Sequence, residues 1–253
     1  MSGIGILHSK IPNFRDIGNF YSHKYDKNIK KGILLRSPSL QIADKEDINI
    51  LVNNNLKLVV DLRSNFEVEE EGNGIAQRFY DIDIITYKNL PLLSNSEWRN
   101  DPIGSKVGED NPGYHYFKYL KSNPGTIKNI FESIFEHSVL GNASIVHCAF
   151  GKDRTGVISA LLQNLLGAED KIIIENFTES HKHVDNLISY FSKSKTYKRD
   201  INSTDHSFMK PKRESVVGFL DLLSKEHENA NNFLRSLSIE QSKIDHFVKS
   251  MVV

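Results

Sequence analysis

The chain has 253 residues, with 32 Lys and Arg residues against 32 Asp and Glu residues, so its formal net charge is zero. A neutral chain gives no electrostatic reason to expect a nucleic-acid partner. No apolar run approaches the roughly 18 residues of a membrane-spanning helix, and the N-terminus lacks a standard secretory signal. The length predicts a single domain over residues 1–253. The protein is expected in the cytoplasm, or exported without a standard signal peptide.

The first half of the chain alternates short apolar runs with helical patterns. Strands are predicted at 32–36, 56–62 and 80–85, the second nearly all apolar as a central strand should be. Asp44 predicts the N-cap of a helix between the first two strands. Residues 86–113 are rich in Pro, Gly and Asn, which is typical of an irregular functional loop.

Helices are next predicted at 114–120 and 126–137, followed by a buried strand at 143–146. Beyond about residue 168 the pattern is helical, and 238–241 has the capping-box signature of the last helix. Strands alternating with helices indicate an α/β fold with a mostly parallel central sheet flanked by helices. The helical pattern after about 168 predicts extra C-terminal helices added to this core.

A basic stretch at 192–213 interrupts the helical pattern. It contains seven basic residues against Asp200 and Asp205, namely Lys193, Lys195, Lys198, Arg199, Lys210, Lys212 and Arg213. A charge run of this length is typical of a solvated mobile loop. The second interpretation is a basic surface that attracts anionic substrates.

The stretch from His147 to Gly156 contains the only cysteine of the chain, Cys148. It lies between the predicted strand at 143–146 and a predicted helix at 157–162. Backbone N–H groups and the helix dipole converge on anions at such a place. Both also favour the thiolate form of a cysteine, which is the nucleophile. This stretch therefore indicates phosphoryl transfer to sulfur.

The residues after Cys148 suit a phosphate monoester. Arg154 can hold two phosphate oxygens with its planar fork, and Lys152 adds a point charge. Gly151 allows a tight turn, and the Thr155 hydroxyl can stabilise the Cys148 sulfur. The expected ring of phosphate-binding groups comprises Ala149, Phe150, Gly151, Lys152, Asp153 and Arg154.

Asp153 admits two interpretations. Its carboxyl can protonate the leaving oxygen and later activate water, or it can hold Arg154 or Lys152 in an ion pair. Other acids that could take the first role are Asp81, Asp83, Asp101 and Asp110. Supporting ion pairs near the site are expected from Asp61, Arg63, Arg15 and Asp16. His181, His183, His206 and His227 are expected at the surface, without a metal site, and no cofactor is expected.

The segment from His147 to Gly156 resembles the phosphate loop of the atypical bacterial and fungal tyrosine and phosphoinositide phosphatases, which reads HCxxGKDRTG. The segments 13–18, 35–37 and 60–63 are similar to that family's NFRDxG, RS and VDLR motifs. The resemblance covers most of the chain. It implies a cysteine-dependent phosphatase with Cys148 as nucleophile, Arg154 as phosphate clamp, and Lys152 and Asp153 as loop residues of catalytic interest.

These observations predict hydrolysis of phosphate monoesters through a phosphocysteine intermediate, with phosphotyrosine in proteins as the leading substrate. The alternative substrate class is a phosphoinositide, or both proteins and lipids. A non-catalytic phosphate-binding module is disfavoured, because binding alone does not require a thiolate. An arsenate reductase of related design needs additional cysteines, and a sulfurtransferase typically has a shorter loop.

Overall fold

The computed structural model describes residues 10–74, 85–93, 111–203 and 205–253. Five strands form one sheet, in the order β1 (Arg15–Asp16), β4 (Leu34–Ser37), β7 (Ala143–His147), β5 (Leu56–Asp61) and β6 (Thr86–Asn89). The pairs β4–β7, β7–β5 and β5–β6 are parallel, and β1 joins the edge in the antiparallel direction. A separate antiparallel pair is formed by β2 (Tyr21–Ser22) and β3 (Lys27–Asn28).

Helices flank this mostly parallel sheet, and together they confirm the predicted α/β class. In chain order the helices are α1 (Lys45–Asn53), α2 (Asn65–Glu71), α3 (Tyr114–Ser122), α4 (Pro124–Val139), α5 (Asp153–Leu165), α6 (Asp170–Thr178), α7 (Val184–Phe191), α8 (Lys198–Ser203), α9 (Arg213–His227), α10 (Ala230–Ser236) and α11 (Gln241–Met251). Short 3₁₀ helices lie at Leu40–Ile42, Glu179–His183 and His206–Met209.

The central strands bury both of their faces. Successive strand residues point to opposite sides of a sheet, and here each side has its own apolar core. Leu35, Val59 and Ile145 pack with α1 in the smaller core. Their neighbours Leu34, Val60 and Val146 belong to the larger core, which α3 to α6 and α9 to α11 complete. The sheet is therefore fixed between two layers of helices.

Two helix starts have capping boxes, in which the N-cap side chain and the N3 side chain each bond the other's backbone N–H. Asp44 caps α1 together with Asp47, which confirms the predicted cap. Ser64 caps α2 together with Glu67. The sequence analysis did not predict α2, although Ser64-Asn65-Phe66-Glu67 has the spacing of a capping box.

The last helix starts differently from the prediction. Helix α11 begins at Gln241 with Glu240 as its N-cap, and no side chain makes a cap hydrogen bond there. Ser238 instead has a φ of 61° and donates its N–H to the Arg235 carbonyl at the end of α10. The predicted capping box at 238–241 is therefore wrong, because Ser238 terminates one helix and does not start the next.

The segment after α2 also differs from the prediction. Residues 86–89, predicted as part of an irregular loop, form the edge strand β6. Most of the strand predicted at 80–85 lies outside the described residues, and so do residues 94–110 of the predicted irregular loop.

Candidate active site

The Cys148 loop connects the central strand β7 to helix α5, at the carboxyl ends of the parallel strands. Ligands of open α/β sheets bind at this edge. Helix α5 has 13 residues and directs its N-terminus at the loop, so the positive end of the helix dipole faces it. The cysteine therefore lies where a parallel sheet and a helix both favour an anion.

The carbonyl groups of the loop are bonded outward by other parts of the chain. Ser39 N donates to Ala149 O at 2.8 Å, and Asn13 Nδ2 donates to Phe150 O at 2.7 Å. Arg36 Nη2 donates to Gly151 O at 2.8 Å and to Lys152 O at 3.3 Å. No described backbone carbonyl accepts a hydrogen bond from the N–H groups of Ala149 to Lys152. The N–H groups of Asp153 and Arg154 lie in the first turn of α5, where a helix offers no partner of its own. The uncommitted N–H groups are those that an anion requires.

Gly151 is required at the turn of this loop. Its φ of 67° lies in the left-handed region that favours glycine. A Cβ atom there would also lie 2.3 Å from the Ser37 carbonyl oxygen. The predicted tight turn is confirmed, and it brings the loop backbone against the end of β4.

Cys148 is almost fully buried, with 3% of its surface exposed. Thr155 is completely buried in the first turn of α5. Its hydroxyl has no hydrogen-bond partner among the residues described. The hydrogen bond from Thr155 to the Cys148 sulfur is therefore not formed in this structure, and the role of the hydroxyl during the reaction stays a prediction.

Arg154 is held by a carboxylate that the sequence analysis did not identify. Its Nη1 donates to Glu67 Oε2 at 2.6 Å and its Nη2 to Glu67 Oε1 at 2.8 Å. A weaker bond of 3.4 Å joins Nη1 to the Leu62 carbonyl. A guanidinium has five N–H donors, and no residue in the described parts of the chain bonds the Nε of Arg154, so the edge formed by Nε and Nη2 can take a ligand. That edge has the geometry to bind two phosphate oxygens.

Glu67 is fixed from several directions. Its Oε2 accepts the Ser64 N–H at 2.7 Å, and its Oε1 accepts the Tyr197 hydroxyl at 2.9 Å. Burial alone would raise the pKa of Glu67, but Arg154 and these donors outweigh it and the pKa is lowered. Arg154, Ser64 and Tyr197 therefore favour the charged form of Glu67, and its two bonds to Arg154 orient the guanidinium.

Asp153 lies on the other side of the loop. Its Oδ2 accepts from Lys152 Nζ at 2.5 Å and its Oδ1 from the Tyr116 hydroxyl at 2.9 Å. Burial acts to raise the pKa of Asp153, but the Lys152 ammonium and the Tyr116 hydroxyl lower it overall. Without a ligand the carboxyl is thus held in its charged form. The pair joins Asp153 to Lys152 and not to Arg154.

Two arginines lie near the loop, the fully buried Arg36 and the partly buried Arg15. Arg36 Nη1 donates to Asn176 Oδ1 at 2.9 Å, while its other terminal nitrogen holds the loop carbonyls. Burial and then the nearby Arg15 charge lower the pKa of Arg36 well below its usual value, and a Cys148 thiolate opposes this. Burial lowers the pKa of Arg15 to about 10. An anion in the loop would therefore stabilise positive charge that the protein has buried.

The expected supporting ion pairs are found in part. Asp61 and Arg63 form a fully buried pair, with 2.7 Å between Oδ2 and Nη2. Arg15 and Asp16 do not pair with each other. Arg15 donates to the Asn176 carbonyl and the Ser180 hydroxyl, and Asp16 accepts the N–H groups of both Gly18 and Gly32. The prediction for Arg15 and Asp16 is wrong, because each side chain braces backbone instead.

Residues 184–203 and 205–209, the flanking segment, pack directly on the loop. Ala149 and Phe150 share an apolar cluster with residues of this segment, including Phe191, Tyr197, Ile201 and Met209. The Phe150 ring lies 4.9 Å from Phe191 between centroids. Within the basic stretch 192–213, residues 192–203 and 205–209 are therefore not the solvated loop of the first interpretation. Lys193, Lys195 and Lys198 are exposed on it.

Several predicted features have other outcomes. The alternative acids Asp81, Asp83, Asp101 and Asp110 lie outside the described residues. Within the part of the chain that is described, no group of three or more His, Cys, Asp or Glu side chains could hold a metal ion. The helices of that part include none with the length and apolar character needed to cross a membrane.

Comparison with known proteins places this geometry in a family. The chain is 27% identical over 175 residues to a Cupriavidus necator protein with a provisional tyrosine-protein phosphatase name, covering 68% of this chain and 61% of that protein. A tyrosine-protein phosphatase of Nostoc commune is 26% identical, over 56% of this chain and 45% of its own length. The triple specificity protein phosphatase PtpB of Mycobacterium tuberculosis is 23% identical, over 69% and 68% respectively.

The chain thus spans less than two thirds of the length of the first two relatives. The pattern of one family, however, matches nearly all of it, from residue 6 to residue 253. By this match, the chain belongs to the tyrosine phosphatase family.

Proposed function

We propose that the chain hydrolyses phosphate monoesters, phosphotyrosine in proteins first of all, through a phosphocysteine intermediate. The observation that carries this proposal is the loop itself. Its carbonyls are bonded outward, its N–H groups have no backbone acceptor among the described residues, and Cys148 lies at its start. The free edge of Arg154 adds two donors for the equatorial oxygens, where charge develops in the transition state.

The proposed reaction has two displacements at phosphorus. The Cys148 thiolate attacks phosphorus, the bond to the leaving oxygen breaks, and that oxygen takes the Asp153 proton. Water then attacks the phosphocysteine, the P–S bond breaks, the thiolate returns, and Asp153 accepts a proton from the water. The loop N–H groups and Arg154 hold the phosphoryl oxygens through both steps.

Asp153 must become protonated before the first displacement. The Lys152 ammonium holds it as a carboxylate in the unliganded site. A bound phosphate dianion offers Lys152 a stronger partner, and its own charge favours the neutral carboxyl. Substrate binding thereby supplies the acid form in which Asp153 protonates the leaving oxygen.

The alternative substrate class is a phosphoinositide, or both lipids and proteins. One observation favours it as a second candidate: Lys193, Lys195 and Lys198 are exposed on the flanking segment. These lysines can attract a polyanionic headgroup without contacting the reacting phosphate.

A phosphate-release panel tests both candidates. It compares phosphotyrosine, phosphoserine and phosphothreonine peptides with mono- and polyphosphorylated phosphoinositides, using Cys148→Ser as the background control. Highest kcat/KM on phosphotyrosine peptides is expected. Preference for a polyphosphorylated lipid would establish the alternative, and release equal to the Cys148→Ser background on every substrate would exclude hydrolysis.

A further inference from the structure

We propose that Tyr197 of the flanking segment is a positioning residue for Arg154, acting through Glu67. The inference rests on the proposed function, since it assigns Arg154 the phosphate. It makes the flanking segment a working part of the phosphate clamp and not only an apolar covering of the loop.

The contact between Tyr197 and Glu67 is direct and enclosed. The Tyr197 hydroxyl donates to Glu67 Oε1 at 2.9 Å, and Tyr197 is 3% exposed. Its ring packs edge-on against Phe191, 5.2 Å away, and Phe150, 6.3 Å away. Burial and Glu67 raise the pKa of Tyr197 well above its usual value, so the hydroxyl stays a donor.

This hydroxyl completes the fixation of the carboxylate. Glu67 Oε2 has the Ser64 N–H in addition to Arg154 Nη1. Glu67 Oε1 accepts from Arg154 Nη2, and its only other donor among the described residues is the Tyr197 hydroxyl. Without Tyr197, one oxygen is fixed by the backbone and the other only by the arginine it should orient. The plane of the carboxylate, and with it the Nε–Nη2 edge of Arg154, then gains freedom to tilt.

The segment that carries Tyr197 is also tied to the same helix one turn further on. Ser194 Oγ and Thr196 N both donate to Glu71 Oε1 at 2.7 Å. Glu67 and Glu71 are four residues apart on α2 and therefore lie on the same face. Residues 194–197 are thus bonded to α2 at two points, which places the Tyr197 hydroxyl at a defined height above Glu67.

The first test is Tyr197→Phe, which keeps the ring packing and removes only the hydroxyl. We expect kcat for an aryl phosphate to fall about 10-fold, less than the 10²–10³ lost with a direct electrostatic donor, while KM changes little. Tyr190→Phe is the matched control, because the Tyr190 hydroxyl lies on the same segment but bonds the Gln41 carbonyl. Its kcat should equal that of the wild type. Equal kcat for wild type and Tyr197→Phe would overturn the proposal.

A double-mutant cycle with Glu67→Gln tests the route of the effect. If Tyr197 acts through Glu67, Tyr197→Phe should change kcat less than 2-fold in the Glu67→Gln background, since coupled residues are not additive. A full 10-fold loss in both backgrounds would show that Tyr197 acts elsewhere and would reject the proposal.

Vanadate affinity, read as thermal stabilisation, gives a measurement that needs no turnover. Vanadate reproduces the equatorial oxygens of the transition state, so Tyr197→Phe should weaken it roughly 10-fold and phosphate less. If the wild type hydrolyses no substrate but Tyr197→Phe still binds vanadate more weakly, the role of Tyr197 in positioning Arg154 is retained and the hydrolytic function is rejected. Equal vanadate affinity in the wild type and in Tyr197→Phe would reject the role of Tyr197 in positioning Arg154.

Discussion

Two carboxylates flank the phosphate loop, and each accepts hydrogen bonds from one cation and one tyrosine hydroxyl. Glu67 accepts from Arg154 and Tyr197, whereas Asp153 accepts from Lys152 and Tyr116. The Glu67 side chain is fully buried and meets its cation through two parallel bonds. The Asp153 side chain is 20% exposed and meets a single ammonium group.

The two pairs differ in whether the cation can leave its carboxylate. A bidentate pair in a buried site fixes direction, so Glu67 can brace Arg154 while the other edge of the guanidinium binds phosphate. Lysine is a point charge on a flexible chain, and it can leave Asp153 for a phosphate. Similar partners therefore suit one carboxylate to positioning and the other to proton transfer.

Cys148→Ser removes the proposed nucleophile, so it should have the largest effect. We expect turnover of an aryl phosphate to fall on the order of 10⁶-fold, as when other covalent nucleophiles are removed. Oxyanion binding and thermal stability should be retained. Turnover near the wild-type level, with contaminating phosphatase excluded, would contradict the mechanism and make the comparison irrelevant.

Arg154→Lys tests the pair formed by Glu67 and Arg154. The substitution keeps the charge but loses the bidentate edge, so kcat should fall on the order of 10²–10³-fold. Lys152→Arg is the matched exchange on the other side, where a point charge suffices, and its loss should be smaller. A lysine at position 154 with normal kcat would show that charge alone is required there.

Asp153→Asn tests the proton-transfer side. If Asp153 protonates the leaving oxygen, kcat/KM should fall about 10²-fold for poor leaving groups and much less for good ones. A series of aryl phosphates of graded leaving-group pKa measures this. Parallel slopes for wild type and variant would mean that Asp153 only positions phosphate, and the same series would then be applied to Asp81, Asp83, Asp101 and Asp110.

The pH profile sharpens the same point. The Lys152 ammonium contributes to the lowered pKa of Asp153, and the acid form is lost as pH rises through that pKa. Lys152→Met should raise the pKa of Asp153, so the high-pH limb of kcat/KM should move to higher pH, whatever happens to the maximal rate. An unchanged position of this limb would mean that Lys152 does not set the pKa of the acid.

The smallest effect is expected from the exposed lysines of the flanking segment. Neutralising Lys193, Lys195 and Lys198 should raise KM a few-fold for phosphoinositides and less for a small aryl phosphate. The effect should shrink at high salt, because exposed charges are screened beyond about 10 Å at 0.1 M. Equal KM changes for both substrates would remove this surface from substrate recognition.

The sequence predicted the parts of the site that are local. The strand, the tight turn at Gly151 and the helix after it lie within one short stretch, where periodicity and residue type are informative. The bonds of Arg154 and of Tyr197 to Glu67 join residues 87 and 130 positions apart. Such contacts leave no periodic signal, although the capping-box spacing at Ser64 could have revealed α2 and its glutamate.

The burial of Tyr197 could not be predicted from the composition of the residues around it. The few apolar residues around it, Ile201 and Met209 among them, are dispersed between charged residues and resemble a solvated loop. Their burial becomes visible only when Phe150 and Phe191 provide the other half of the cluster. An interaction of this kind depends on the assembled fold, so the sequence could predict the loop but not its neighbour.

The outward bonding of the loop carbonyls has a consequence for folding. The donors at Asn13 and Arg36 reach the loop across 137 and 115 residues. A loop shaped by such distant segments cannot take its form in a locally folded fragment, and it should be lost when either segment detaches. Activity should therefore be lost whenever either distant segment detaches, because the loop keeps its shape only while the donors at Asn13 and Arg36 are in place.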